Sequence, residues 1–425
     1  MRSIILRNSD VIFPNRNEVG ISLVVENKQI IAINENASQL DTEAVELSGT
    51  TLVPGFIDVH IHGAVGVDVN EADAGGLLRI AGFLAGKGVT AWMPTVVPDS
   101  DENYRRIIGE IDRLMELQEG KAVAQAVGVH YEGVFANEKM CGALRPEFFK
   151  SGRSAGGGWR QDVQNPPHEQ GRNADTAERN APRATASGTE RREVGGLPML
   201  KRGVHMMTLA PEIDGGIELI EALVAQSWIV SVGHTKADAV TLDAAFAAGA
   251  RHMTHFFNAM TGIHHREVGV AGWGLANKDV TFDIIADGVH VHPQMLDVAC
   301  RSKSPDKVSL ISDSVAPTGL GDGKFQLWGE TITVKDGLTR NERGSIAGSV
   351  ATMLDGVKMM RVLGFSNVEI AKMASTNPAK LLGIDKTYGS IEIGKRADLV
   401  ALDEDGNVKM VMIGGKVVDL ENDLF

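Results

Sequence analysis

With 425 residues, 43% of them hydrophobic, and 48 glycines, the chain is long enough for one large, turn-rich domain plus a small satellite. A net charge of −13 argues against a nucleic-acid surface, while leaving room for a local basic pocket that takes a small anion. Two cysteines, Cys141 and Cys300, are too few for a disulfide framework, and no segment reads as a signal peptide or a bilayer span, so a cytoplasmic protein with neither nucleic-acid nor membrane partners is expected.

In chain order, SIILRNSDVIF and VGISLVVENKQIIAIN read as short strands broken by Asn, Gly and Asp. The C-terminal GSIEIGKRADLVALDEDGNVKMVMIGGKVVDL reads the same way, so residues 1–50 and 385–425 are expected to build one small β-sandwich from both termini. Between them lie eight strand candidates, near 51–60, 89–97, 124–132, 203–211, 228–234, 252–258, 281–289 and 308–313. Helical patterns separate most of them, at 72–88, 101–120, 215–226 and 236–249. In the second of these, Ile107, Ile108, Ile111, Leu114 and Leu117 recur near helical spacing and form one apolar stripe. Strand and helix alternating eight times is the pattern of a TIM-like (β/α)₈ barrel, expected over 51–384; a doubly wound open sheet is the alternative. Residues 151–196 break the pattern, being rich in Gly, Ser, Arg, Asn and Pro with Trp159, Val163 and Val194 as the only large apolar side chains. They read as a flexible surface insertion, with a passive loop preferred and an active-site lid as the alternative, since βα loops edge a barrel's mouth; His168 within it has nothing nearby to hold it as a ligand.

Five of the apolar runs end on residues able to bind or work with a divalent metal: His60 and His62, Glu132, His234, His255 and Asp313. On a strand, side chains alternate faces, so His60 and His62 point to one side and both rings can reach one ion. Taken alone, a His-x-His pair is more often bonded to backbone or solvent; with four further candidate residues at equivalent strand ends, a metallohydrolase becomes the first hypothesis. A divalent ion with an open position lowers the pKa of water to roughly 7, and Asp313 would carry the proton from water to the departing amine. Asp313 in SDSVAP also fits a helix N-cap. His130, two residues before Glu132, reads as a hydrogen-bonded core histidine, and His264 and His265 are assigned to no metal. Arg266 is either a fork for a phosphate or carboxylate or a surface partner of Glu267.

The stretches PGFIDVHIHG (54–63), GVHYEG (128–133), TLAPE (208–212), VGHTKA (232–237), THFFNAM (254–260), HHREVGVAG (264–272), IADGVHV (285–291), SDSVAPTG (312–319) and SIAGSVATM (345–353) make the chain similar to a known family. It resembles the N-acetylglucosamine-6-phosphate deacetylases of the amidohydrolase superfamily, over nearly its whole length except 151–196. The resemblance implies that Glu132, His234 and His255 hold the main metal, zinc or iron, and that His60 and His62 support a second ion in some members. It implies Asp313 as the catalytic aspartate and Asn258 with Ala259 as a backbone site for the sugar phosphate. Arg266 would bind the phosphate across a homodimer interface, and His290 would contact the substrate with Asp287, Gly288 and Val289 on the same loop. Ile346, Ala347 and Gly348 match a further substrate-contacting stretch, and Ala143 and Leu144 another.

The sequence departs from that family in the segment EGVFANEKMCGAL, where Val134 replaces a proline and Leu144 stands at a histidine position, and in HHREVG, where Val268 replaces a proline. The loss of an imidazole at 144 bears on which sugar is accepted rather than on the metal chemistry. The expected reaction is hydrolysis of an N-acetylhexosamine phosphate to acetate and the hexosamine phosphate. The alternatives are another amidohydrolase reaction, on an N-acyl compound or cyclic amide, and a non-catalytic scaffold.

Overall fold

The computed structural model describes residues 3–34, 43–152 and 194–420. Eight parallel strands follow one another around a ring: β1 (Phe56–Ile61), β2 (Val89–Val96), β3 (Gly128–Phe135), β4 (Val204–Leu209), β5 (Ile229–Val232), β6 (His252–Met253), β7 (Thr281–Ile285) and β8 (Val308–Ile311). The Asp313 N–H donates to the His60 carbonyl at 3.0 Å and the Ser312 hydroxyl donates to Asp58 at 2.6 Å, which brings the end of β8 to β1. Strand order therefore runs around a barrel, as expected, and the doubly wound sheet does not apply. β1, β2 and β3 are buried along their whole length, so apolar residues occupy both faces and the few polar ones, among them Asp58, His60, His130 and Glu132, are buried with them.

Helices α1 (Ala74–Gly86), α2 (Asp101–Leu117), α3 (Gly216–Ala225), α4 (Ala239–Ala248), α5 (Gly269–Ala276), α6 (Pro293–Lys303) and α7 (Met353–Val362) alternate with the strands. α2 shows how the sequence sets these elements. The Ser100 side chain accepts the Asn103 N–H as N-cap, and Asp101 and Glu102 sit in the first turn, where negative charge meets the positive end of the helix dipole. Tyr104, Ile107, Ile108, Ile111 and Leu114 are buried against the barrel, whereas Leu117 is 46% exposed and falls outside the apolar stripe in which its spacing placed it.

The segment expected as one strand over 51–60 is two. Thr51–Pro54 pairs with Leu399–Leu402 and with the second half of Ile4–Phe13, in a sheet drawn from both termini; only Phe56–Ile61 enters the barrel. That sheet also contains Arg16–Glu26, Gln29–Ile33, Glu43–Glu46, Val408–Ile413 and Lys416–Val417. Leu6, Leu23, Val25, Ile30, Leu52, Leu399, Ala401, Met410 and Met412 pack together as its separate core. A three-stranded antiparallel insert, Gly323–Leu327, Glu330–Lys335 and Leu338–Arg340, follows β8. The loop expected at 151–196, His168 included, falls almost wholly at 153–193, outside the described residues. Among the described residues no helix is long and apolar enough to cross a membrane.

Candidate metal centre

The six residues singled out at strand ends all converge, buried, at the C-terminal mouth of the barrel. They form two groups, Glu132–His234–His255 and His60–His62–Asp313, with the ligand atoms of each group within 4.8 Å of one another. In the first, Glu132 Oε1 lies 3.0 Å from His234 Nε2 and 2.9 Å from His255 Nε2, and the two imidazole nitrogens are 3.1 Å apart. Bonds of about 2.1 Å meeting at right angles would set neighbouring ligand atoms about 3.0 Å apart, so this triangle fits a metal face. Glu132 also joins the groups, its Oε2 lying 3.1 Å from His62 Nε2, which is itself 3.2 Å from Asp313 Oδ1.

Second contacts decide which ring nitrogen is free to ligate. His234 Nδ1 lies 2.9 Å from the Met140 carbonyl and His62 Nδ1 lies 3.2 Å from the Thr95 carbonyl. A carbonyl only accepts, so both Nδ1 atoms carry hydrogen, and in a neutral ring the remaining Nε2 lone pair would point at carboxylate oxygens. Lone pair against carboxylate is repulsive unless a cation, proton or metal, lies between. The donor set therefore suits a divalent ion.

The chain enters this mouth through backbone that side chains seldom adopt. His234, His255 and Asp313 have φ of 48°, 34° and 50°, in the left-handed region. Each is held there by hydrogen bonds. The His234 carbonyl accepts from Asn137 N–H at 3.1 Å, and the Asp313 carbonyl accepts from Ser349 N–H at 2.8 Å. The His255 N–H donates to Asp283, whose other oxygen lies 3.0 Å from His252 Nε2. β3 bends at the same level, its pairing with β4 slipping between Glu132 and Phe135, where Gly133 takes a φ of 70°.

Burial alone would push the Glu132 carboxyl up, but His60, His234 and His255 outweigh it and hold the carboxyl well below the usual range. Asp313 is likewise lowered: burial opposes ionisation, and His62 and His60 overcome it. In the metal-free protein the same attractions run in reverse. Burial disfavours charge on the rings, yet the neighbouring carboxylates raise His62 to about 10 and His255 to about 9. Asp313 is thus held ionised. It does not cap a helix.

His130 is a core histidine, its Nδ1 3.0 Å from the Val59 carbonyl, its Nε2 2.7 Å from Thr208 Oγ1, and burial brings it down to about 3.

A cleft of about 330 Å³ opens over the two groups. Of the expected substrate residues, Ala143, Leu144, Asn258, Ala259, His290, Ile346 and Gly348 line it. Ala347 instead packs in the apolar cluster behind. Asp287, Gly288 and Val289 lie off the wall: the Asp287 carboxylate accepts the Val289 and His290 N–H groups at 2.9 and 2.8 Å and holds His290 Nδ1 at 2.6 Å. Burial would lower His290, but Asp287 overrides it and raises it. Arg266 does not reach the cleft of its own chain; it is exposed, with Nη1 3.0 Å from His265 Nε2.

Three site residues carried no clear sequence signal. Trp328, in a turn of the insert, lines the cleft and stands edge-on to His62 with ring centres 5.3 Å apart. Asp283 in VTFDIIAD could have been found as a charge inside an apolar strand. Asp58 shares the period-two face of His60 and His62, and accepts the His60 and Ser312 N–H groups at 3.3 Å each.

Residues 51–418 match the Amidohydrolase family. The chain is 34% identical over 380 residues to the N-acetylglucosamine-6-phosphate deacetylase of Bacillus subtilis, covering 87% of this chain and 84% of that one. It is 32% identical over 379 residues to the N-acetylgalactosamine-6-phosphate deacetylase of Escherichia coli O157:H7, covering 89% and 90%. Among solved structures, a variant of the N-acetyl-D-glucosamine-6-phosphate deacetylase of Mycobacterium smegmatis, in complex with N-acetyl-D-glucosamine-6-phosphate, superposes with a TM-score of 0.80 at 27% identity, over 98% of this chain and 100% of that one.

Proposed function

The chain belongs to the amidohydrolase family, and from that premise we propose that it removes acetyl from N-acetylglucosamine 6-phosphate, or a closely related N-acetylhexosamine phosphate, to give acetate and the hexosamine phosphate. The observation that carries this reading is the convergence of Glu132, His234 and His255 on one triangle of ligand atoms with Asp313 beside it in the cleft. Glu132, His234 and His255 would hold the ion, zinc or iron, and His60 and His62 would support a second. When bound, it supplies Lewis-acid polarisation of the amide carbonyl and acidifies water.

Asp313, held ionised, takes a proton from the attacking water as the oxygen bonds to the carbonyl carbon. It then gives that proton to the amide nitrogen as the C–N bond breaks, because an amine leaves poorly unless protonated. Asn258 Nδ2 and His290 Nε2 are buried without a partner and line the cleft, so they are donors for hydroxyl or phosphate oxygens of the sugar. Arg266 would reach a 6-phosphate only from a second copy of the chain, and a homodimer is part of this reading.

Asp313→Asn tests the shuttle. It preserves size and most hydrogen bonding but cannot carry the proton, and removal of a general acid–base group costs on the order of 10²–10⁴ in rate. That loss in kcat with metal content unchanged is expected. Loss of the metal instead would make Asp313 chiefly a ligand.

A further inference from the structure

The cleft has two kinds of lining. It includes the unpartnered donors Asn258 Nδ2 and His290 Nε2. It also includes Leu144 and Trp328, which pack in one buried cluster with Val97, Val315, Ala316, Leu327, Ile332 and Ala347. Trp328 is only 7% exposed, and its indole N–H donates to the Asp68 carboxylate at 3.0 Å. With its one polar atom committed to Asp68, the ring has only carbon to offer the cleft.

Resting on the deacetylase reading above, we propose that Trp328 and Leu144 form the acyl-binding wall of the site and that Trp328 limits the acyl group to a short chain. An N-acyl hexosamine phosphate has one extended polar part and one apolar part, the acyl tail. The buried donors must be matched with oxygens, because leaving them unpaired beside an apolar group costs binding. The sugar phosphate therefore takes their side, and the acyl methyl is left to face carbon. The wall stands at the correct place for this. Trp328 meets His62 edge to face, and His62 lies 3.2 Å from Asp313, which has to stand beside the scissile amide to pass a proton to its nitrogen.

Both residues are positioned by local backbone that would be wasteful without a purpose. Trp328 has φ of 52° in the turn between Gly323–Leu327 and Glu330–Lys335, a conformation that bulky residues rarely adopt. Its neighbours Leu327 and Ile332 are buried in the same cluster and anchor that turn. Leu144 is accommodated by Gly133: a Cβ at that position would lie 2.2 Å from Leu144 Cδ1. Gly133, whose φ of 70° already favours glycine at the bend of β3, thus also leaves room for Leu144.

The test compares N-acetyl-, N-propanoyl- and N-butanoylglucosamine 6-phosphate as substrates of the metal-loaded enzyme, read as carboxylate released. One methylene in an apolar pocket changes discrimination by about 10- to 200-fold. In the unmodified enzyme kcat/KM should fall at least about tenfold from acetyl to butanoyl. Trp328→Ala and Leu144→Ala should each raise the butanoyl-to-acetyl ratio by about tenfold or more. Trp328→Phe, which keeps an apolar ring and loses the bond to Asp68, should hold the ratio near the unmodified value. A purely structural role would lower all three substrates by one common factor, and that result would overturn the wall. An unmodified enzyme that treats the three acyl groups alike would overturn it as well. If Trp328→Ala fails to retain metal, Leu144→Ala and Trp328→Leu yield the same ratio and decide the question in its place. No carboxylate released from any of the three by the unmodified, metal-loaded enzyme would sink the deacetylase reading itself, and the wall with it.

Discussion

His234, His255 and Asp313 each sit in left-handed backbone, which costs of order 1–3 kcal/mol apiece and persists only where surrounding bonds over-determine it. That cost places three polar side chains at one point, and it is paired with an electrostatic one. Without metal, His62 is raised to about 10 and His255 to about 9: burial opposes their charge, and the carboxylates of Asp313 and Glu132 outweigh it. A metal binds neutral imidazole, so it must expel those protons. Metal affinity should therefore rise with pH up to about 9, with proton release on binding measurable by calorimetry in buffers of different ionisation heat. The sign for stability follows from the same shifts. A raised histidine stabilises the metal-free fold fully below its ordinary value of 6.5, and that contribution is lost as pH climbs through 9 and 10. The melting temperature of the metal-free protein should fall across this window relative to the metal-loaded form. A pH-independent metal affinity would show that these rings are neutral before metal arrives.

Among the elements, β6 is the least regular, since only His252–Met253 pairs as strand before the chain turns through His255. Asp283 on β7 fixes that turn, accepting the His255 N–H on one oxygen and facing His252 Nε2 with the other. Outer contacts of this kind typically change metal affinity 10- to 100-fold. Asp283→Ala should weaken metal binding by about that factor and lower the melting temperature, because it leaves buried N–H groups without an acceptor. Unchanged metal affinity would mean that β6 holds His255 unaided. The limits of the sequence show at this scale too. Strand ends were legible because apolar runs closing on His, Glu or Asp are few, and His60 and His62 share a period of two; Asp58, on the same face, was missed. β6 was expected over 252–258, but apolar residues such as Phe256 and Phe257 look alike whether they extend a strand or pack below a turn. Leu117 had helical spacing, yet at the end of α2 it is Gln118, not Leu117, that faces inward, its amide bonding the Ala126 backbone. Trp328 was invisible for a different reason. Its link to His62 spans two elements far apart in sequence, and nothing in FQLWGETI announces it.

In the whole molecule the work is divided by location. The sheet drawn from both termini has its own core and contributes none of the six converging residues or the described cleft lining, while the barrel mouth and the insert after β8 supply the ligand candidates and the wall. Leu144 in place of the family histidine belongs to this larger arrangement, because it and Trp328 fill one cluster together. Metal-dependent deacetylation is the central claim, and it is tested most directly by titrating zinc or iron into chelator-treated protein while measuring bound metal and acetate released from N-acetylglucosamine 6-phosphate. No release is expected without metal, and with metal the release should rise with occupancy, in equal amounts with hexosamine phosphate. Full activity in the metal-free protein, or none at full occupancy, would contradict it.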